Sequence, residues 1–223
     1  MSEAAGAANP SMNYYNKDFW REENLKYAPA HHRLQKSARI VNKLARGRQC
    51  TLLDIGCGPA TLMRLVSPDI DYYGIDIAIQ EPSPNLLEYD FVRAPIGFAE
   101  RKFDLVVAQG VFEYIGEHQD EKFAEIASIL QPDSTFLVSY VNFGHHAKNV
   151  YWPYNNVRSY PDFRASLERH FTVRRHFPTA HNWHHGEPTK RLVRAANMHF
   201  SLNVPVLSPL LAVEYFFICS RAA

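Results

Sequence analysis

The chain has 223 residues, of which 46% are hydrophobic and 21% charged, the proportions of one sizeable soluble α/β domain rather than two. With 24 basic and 23 acidic residues it carries a net charge of +1, so the electrostatic footprint of a nucleic-acid binder is missing. Its three cysteines, Cys50, Cys57 and Cys219, are odd in number and form no CxxC pair, which argues against a disulfide framework or a zinc cluster and for a reducing cytoplasm.

In chain order, MSEAAGAANPSMNYY has no basic segment leading into an apolar one and is not read as a signal peptide. Residues 1–12 are expected to be disordered, and 13–49 to form a helical arm or lid. Tyr14, Tyr15, Phe19 and Trp20 cluster there; they either pack the arm onto the domain or present aromatic faces to a ligand, with Tyr14 and Tyr15 the expected contacts. In AHHRLQKSARIVNKLAR, Leu34, Ala38, Val41 and Ala45 recur at helical spacing, and Gly47 ends the helix. TLLDI then reads as a buried strand running into the turn GCGPA, and PATLMRLV behind it as a helix. IDYYGID is a second strand, NLLEYDF a weaker third, KFDLVVAQG a fourth and STFLVSYV a fifth. DEKFAEIASIL is an amphipathic helix closed by Gln131-Pro132. This alternation predicts right-handed βαβ units around a parallel sheet from residue 50 onward. FTVRRHF and LAVEYFFICS follow as an antiparallel pair at one edge, leaving 143–170 and 179–211 as expected substrate lids. The most apolar stretch, VPVLSPLLAVEYFFIC, is broken by Pro205, Pro209 and Glu214 and is too short to span a bilayer.

The strand ends carry the chemistry. Gly56 and Gly58 allow backbone to approach a ligand closely, but the third position of a dinucleotide fingerprint is Thr61, and no phosphate loop is present. Asp54, just before the glycines, would repel a pyrophosphate and suits a cationic amine. Asp76 ends the next strand, where a carboxylate can accept from ribose hydroxyls. Asp90 ends the third, placed to accept from an adenine amino group with Phe91 packed on the ring, and AQGVFEYI closes the fourth beside the same cleft.

DIGCGPA, GID, the YDF turn and FDLVVAQGVFEYI, in this order and spacing, resemble the nucleotide half of class I S-adenosylmethionine-dependent methyltransferases over about residues 50–142. The resemblance implies a Rossmann-like, seven-stranded, mostly parallel sheet with one antiparallel edge strand and helices on both faces. It implies that Asp54, Gly56, Gly58, Asp76, Ile77, Asp90, Phe91, Gln109, Gly110 and Phe112 bind S-adenosylmethionine, the product being S-adenosylhomocysteine. Ala60 stands where the family usually has a third small residue, often glycine, and Glu113-Tyr114 where a Glu-His pair is common, so chemistry borrowed from that histidine does not transfer. The Asn/Asp-Pro-Pro-aromatic motif of nucleic-acid amino-methylating enzymes is missing.

The expected reaction is O- or N-methylation of a small molecule. His145 and His146, with His118 and Tyr114 behind them, are the candidate bases, since a histidine of near-neutral pKa can take a proton from a hydroxyl or amine. His181 and His185 share a spacing that can hold a metal on a helix, but the intervening sequence is a poor helix, and no metal is expected. YWPYNN and NWHH suit an aromatic lid over a small acceptor, and equally a homodimer interface. The alternatives are a regulatory protein that binds the cofactor without transfer, a nicotinamide-dependent oxidoreductase, and a methyltransferase acting on a protein- or carrier-bound group.

Overall fold

In the computed structural model the described residues are 17–25, 32–98, 100–141, 158–181, 206, 208 and 212–222. Two helices, α1 (Lys17–Leu25) and α2 (His32–Ala45), precede the sheet strands β1 (Cys50–Ile55), β2 (Ile70–Asp76), β3 (Leu86–Glu88) and β4 (Phe103–Ala108). Helix α3 (Gln119–Ile129), β5 (Leu130–Val141), α4 (Tyr160–Glu168), β6 (Phe171–His181) and β7 (Ala212–Arg221) complete the order. The seven strands lie as β3-β2-β1-β4-β5-β7-β6, with β1 to β5 parallel.

Strands β1 and β4 carry continuous apolar stretches, Leu52–Leu53 and Leu105–Ala108, because both sheet faces are covered. On one face Leu53, Ile55, Val106, Val138 and Tyr140 pack with Phe123, Ile126, Phe163 and Leu167 of α3 and α4. On the other, Leu52, Leu105 and Val107 meet Ala38, Val41 and Ala45 of α2, the stripe read from the sequence. Gly47, at φ +77°, ends that helix in the left-handed region. Aromatic rings do much of the filling on the first face: Tyr140 stacks on Phe163 at 3.8 Å between centroids, and Phe112 on Phe123 at 4.6 Å.

Three expectations are corrected. PATLMRLV does not form an α-helix; only Leu62–Arg64 makes a 3-10 turn. Ala60 sits at φ +50° and Pro68 disfavours a helical Ser67, so too few residues remain between them for an α-helix. Pairing within NLLEYDF is confined to Leu86–Glu88. The reversed strand, β7, is not outermost: it pairs antiparallel with both β5 and β6. Tyr215, Phe216 and Phe217 of β7 are buried on both sides, so it needs covered flanks, whereas β6 has exposed Arg174 and Arg175 and a proline at 178, features of an edge.

Residues 158–170, inside the expected first lid, pack as α4 against the sheet, its first turn capped by Ser159 accepting from the Asp162 amide at 3.4 Å. The rest of that lid, and most of the second, lie outside the described residues. No helix among the described residues is long and apolar enough to cross a membrane. All three cysteines are buried and unpaired.

Candidate functional site

Strand order reverses between β1, which leads to β2 and β3, and β4, which leads to β5. Open α/β sheets have a crevice at the carboxyl ends of the strands at such a switch point. Here the crevice is lined by residues of the β1, β2 and β4 ends, by Trp20 and Asn24 of α1, by Arg33 and Leu34 of α2, and by Val141 at the end of β5.

The turn after β1 is tied to β2, the Gly56 and Cys57 amides donating to the Ile75 carbonyl at 2.8 and 3.2 Å. Gly56, at φ +71°, also passes so close to the next turn that a Cβ there would lie 2.4 Å from Val111 Cγ2. Asp76 organises the neighbouring backbone. One carboxylate oxygen accepts from the Gly58 amide at 2.9 Å; the other accepts from the Ala78 amide at 2.9 Å and from Asn24 Nδ2 at 3.2 Å. Burial raises its pKa, opposed by those donors.

Asp54 is buried beneath the turn and accepts from the Tyr72 hydroxyl at 2.5 Å. Burial pushes its pKa up to about 7, the Tyr72 hydrogen bond opposing and the Asp76 charge adding to the rise. Asp90 accepts from the Val92 and Arg93 amides at 3.0 and 3.1 Å, fixing the turn that sets Phe91 in the cleft wall. Gln109 accepts from the Ser37 hydroxyl at 2.8 Å, while its buried Nε2 has no partner. Ile77 and Gly110 line the same space, Gly110 at φ +69°.

Two sequence-predicted residues are placed elsewhere. Phe112 is fully buried, stacked on Phe123 in the core, because the left-handed turn at Gly110 swings it under the sheet. His118 is absent from the cleft lining; after Ile115 the chain turns away, leaving its side chain 44% exposed beside Glu121, 3.4 Å off. Tyr14, Tyr15, His145 and His146 lie outside the described residues. Among the described residues no group of three potential ligands is arranged to hold a metal.

A second polar group was not anticipated. Glu113 lines the cleft at 1% exposure, and neither of its carboxylate oxygens has a hydrogen-bond partner. Burial pushes its pKa up to about 8, with the Glu214 charge adding; its own amide, Arg33 and the Val141 amide oppose this, the amides without hydrogen bonds of normal geometry. Glu214, also 1% exposed, accepts from Arg33 at 2.8 Å and from the Thr179 hydroxyl at 2.6 Å. Asn24 was missed as well. The available signal was a carboxylate inside each of two apolar runs, VFEYI and LAVEYFF; nothing local pointed to Asn24 or Arg33.

The residues present fit a nucleoside bearing an amino-acid tail: a left-handed glycine turn, carboxylates at the β1 and β2 ends, and an orphaned amide donor on the floor. A methyltransferase-domain family model matches residues 20–192. The search of curated proteins returned no match. Solved structures share the fold at low identity. A TehB-like S-adenosylmethionine-dependent methyltransferase from Corynebacterium glutamicum is 15% identical, with TM-score 0.58, over 96% of this chain and 100% of its own. The N-methyltransferase NodS from Bradyrhizobium japonicum, bound to S-adenosylhomocysteine, is 12% identical at TM-score 0.59, over 95% and 100%. A chain from the Haloferax volcanii complex of a methyltransferase activator with a methyltransferase is 18% identical at TM-score 0.63, over 92% and 96%. With the switch-point cleft and its acidic strand ends matched by a family model over most of its length, the chain belongs to the methyltransferase-domain family and is a class I S-adenosylmethionine-dependent methyltransferase.

Proposed function

We propose that the chain methylates a small-molecule acceptor at oxygen or nitrogen, in the cytoplasm. The observation that carries this reading is the continuity of the cleft, which runs from Asp76 and Asp90 at one end to Arg33, Glu113 and Val141 at the other. Leu34, Ile55, Val107, Val111 and Ile115 give it mostly apolar walls, as small-molecule sites have. The cofactor supplies, when bound, a methyl group already activated on a sulfonium.

The chain's own residues bind, orient and exclude water. Asp54 takes the ammonium of the amino-acid tail, and the Gln109 amide donates to its carboxylate. Asp76 exchanges the Asn24 amide for ribose hydroxyls and keeps its hold on Gly58. Asp90 accepts from the adenine amino group while Phe91 packs on the ring; Ile77 and Gly110 line the floor. Trp20, edge-on to Tyr114 at 5.0 Å, closes α1 over the cleft and keeps water out. Orientation in a dry cleft accounts for a large part of the barrier lowering in such transfers. The parts of 143–170 before α4 and of 179–211 beyond β6 are the proposed lids, and His145 and His146 the proposed bases for a hydroxyl acceptor; pairing of two chains through the lids is the proposed oligomer.

The test is label transfer. Purified protein is incubated with methyl-labelled S-adenosylmethionine and cell extract, which is then divided at a few kilodaltons. Label in the small fraction supports the reading. Label confined to the protein fraction would replace it with a macromolecular acceptor, and cofactor binding with no label anywhere would make the chain a regulatory binder.

A further inference from the structure

Among the described residues, four acidic side chains in and beside the cleft are largely withdrawn from water, and three are already engaged. Asp54 accepts from Tyr72; Asp76 from Gly58, Ala78 and Asn24; Glu214 from Arg33 and Thr179. Glu113 is the exception: it is 1% exposed, and neither of its oxygens has a hydrogen bond of normal geometry. A buried carboxyl without partners is costly, and it relaxes either by staying protonated or by meeting a cation. Glu113 is among the residues that line the cleft, so the second solution needs only that its carboxylate, withdrawn from water in the ligand-free chain, turn toward a ligand.

The position of Glu113 separates it from the donor half. Asp76 ends β2 and Asp54 is on β1, whereas Glu113 follows β4 and lies near the Val141 amide at the end of β5. From β2 to β4 is two strand spacings, about 10 Å. The donor's tail carries one ammonium, which Asp54 accounts for. Charge then selects the second ligand. An anion would face Glu113 and Glu214, with the nearby Arg33 guanidinium already bonded to Glu214. A protonated amine brings both the positive charge and the N–H donors that the bare carboxylate lacks. Trp20 and Tyr114 add aromatic surface for the carbon substituents beside such a cation.

We propose that Glu113 is the acceptor-binding residue and that the acceptor is a protonated amine, held with its nitrogen against the Glu113 carboxylate. This rests on the methyl-transfer reading above and narrows its acceptor to nitrogen. For transfer, one N–H bond of the ammonium breaks and its proton forms an O–H bond on Glu113, leaving the nitrogen lone pair free. That pair forms the N–CH3 bond as the S–CH3 bond breaks, and the electrons of the broken bond remain on sulfur.

The test uses the full chain saturated with S-adenosylhomocysteine and three matched probes: benzylamine, benzyl alcohol and benzoate. Calorimetric titration is expected to show benzylamine binding at least about tenfold tighter than benzyl alcohol, the scale of one charge-assisted hydrogen bond, with benzoate weakest. Titrations at pH 7 in two buffers of different ionisation enthalpy should show proton release with the amine alone. In Glu113→Gln the amine preference and the proton release should both vanish while S-adenosylhomocysteine binds as before. Equal binding of amine and alcohol by the unmodified chain overturns the proposal without any variant. So does a preference that survives in Glu113→Gln, and so does a loss of S-adenosylhomocysteine affinity in that variant, which would move Glu113 to the donor site. Failure of the unmodified chain to bind S-adenosylhomocysteine would instead remove the methyl-transfer reading itself.

Discussion

At the β1–β2 end of the cleft each acidic side chain is engaged by the fold itself: Tyr72 meets Asp54, three donors meet Asp76 and two amides meet Asp90. At the β4–β5 end, Glu113 has no hydrogen bond of normal geometry. The first arrangement fixes the backbone around the cleft, the carboxylates positioning its turns in addition to the binding roles proposed for them. The second leaves a binding group bare, so its free energy is released when a ligand arrives. Substitutions at the two ends should therefore fail differently.

The largest effect is expected at Asp76. Asp76→Ala removes the acceptor for the Gly58 and Ala78 amides and for Asn24 at once. S-adenosylhomocysteine affinity should fall by about 100-fold or more, two charge-assisted hydrogen bonds' worth, and the melting temperature should fall as well, because those donors lose their acceptor. Gly56→Ala comes next. It forces a side chain into a left-handed φ and against Val111 Cγ2, and should cost about 1–3 kcal/mol of stability together with part of the cofactor affinity, measured by chemical denaturation. His118→Ala, at a surface position beside Glu121, should leave both affinity and turnover within about twofold of the parent.

Stability against pH sharpens the comparison further. Asp54 and Glu113 have folded pKa values raised from 3.8 and 4.5 to about 7 and about 8, so the folded state holds their protons more tightly than the unfolded chain does. Stability is then greatest where both are protonated and falls as pH rises toward their folded values, by about 1.4 kcal/mol per pH unit for each group. Between pH 6.5 and 8 these two dominate. Below that window His176, whose pKa is lowered by burial, and above it Lys36, lowered to about 8 by burial and by Arg175, act in the opposite sense. The melting temperature of the ligand-free chain should drop by about 3–6 °C across the window. Glu113→Gln should remove most of the drop in the upper half of the window, where Asp54 is already ionised, and about half of it in the lower half, where both groups contribute. An unchanged slope in the variant would mean that Glu113 does not titrate there.

The donor half was legible in the sequence because its parts are local: each strand and the turn that follows it are consecutive, and the polar residue at the strand end has one place to go. Asp54, Gly56, Gly58, Asp76 and Asp90 could be read in order, and all of them line the cleft. Phe112 was misread because a left-handed turn at Gly110 inverts which side chains face the cleft, and the sequence shows only that a glycine is there. The helix expected behind the glycine turn failed because Ala60 and Pro68 bound too short a segment, and α2, from before the first strand, covers that face instead. Glu113, Arg33 and Glu214 come from three segments far apart in the chain, joined only when β7 inserts beside β5. No spacing rule connects them, and a carboxylate in an apolar run is their one local trace.

The measurement that tests the contrast between the two ends most directly is calorimetric titration of S-adenosylhomocysteine into the unmodified chain, Asp76→Ala and Glu113→Gln at one pH and salt concentration. Binding that is lost in Asp76→Ala and kept in Glu113→Gln is the predicted result. Equal losses in the two variants, or an Asp76→Ala chain that binds as the parent does, would contradict the division of the cleft into a donor end and an acceptor end.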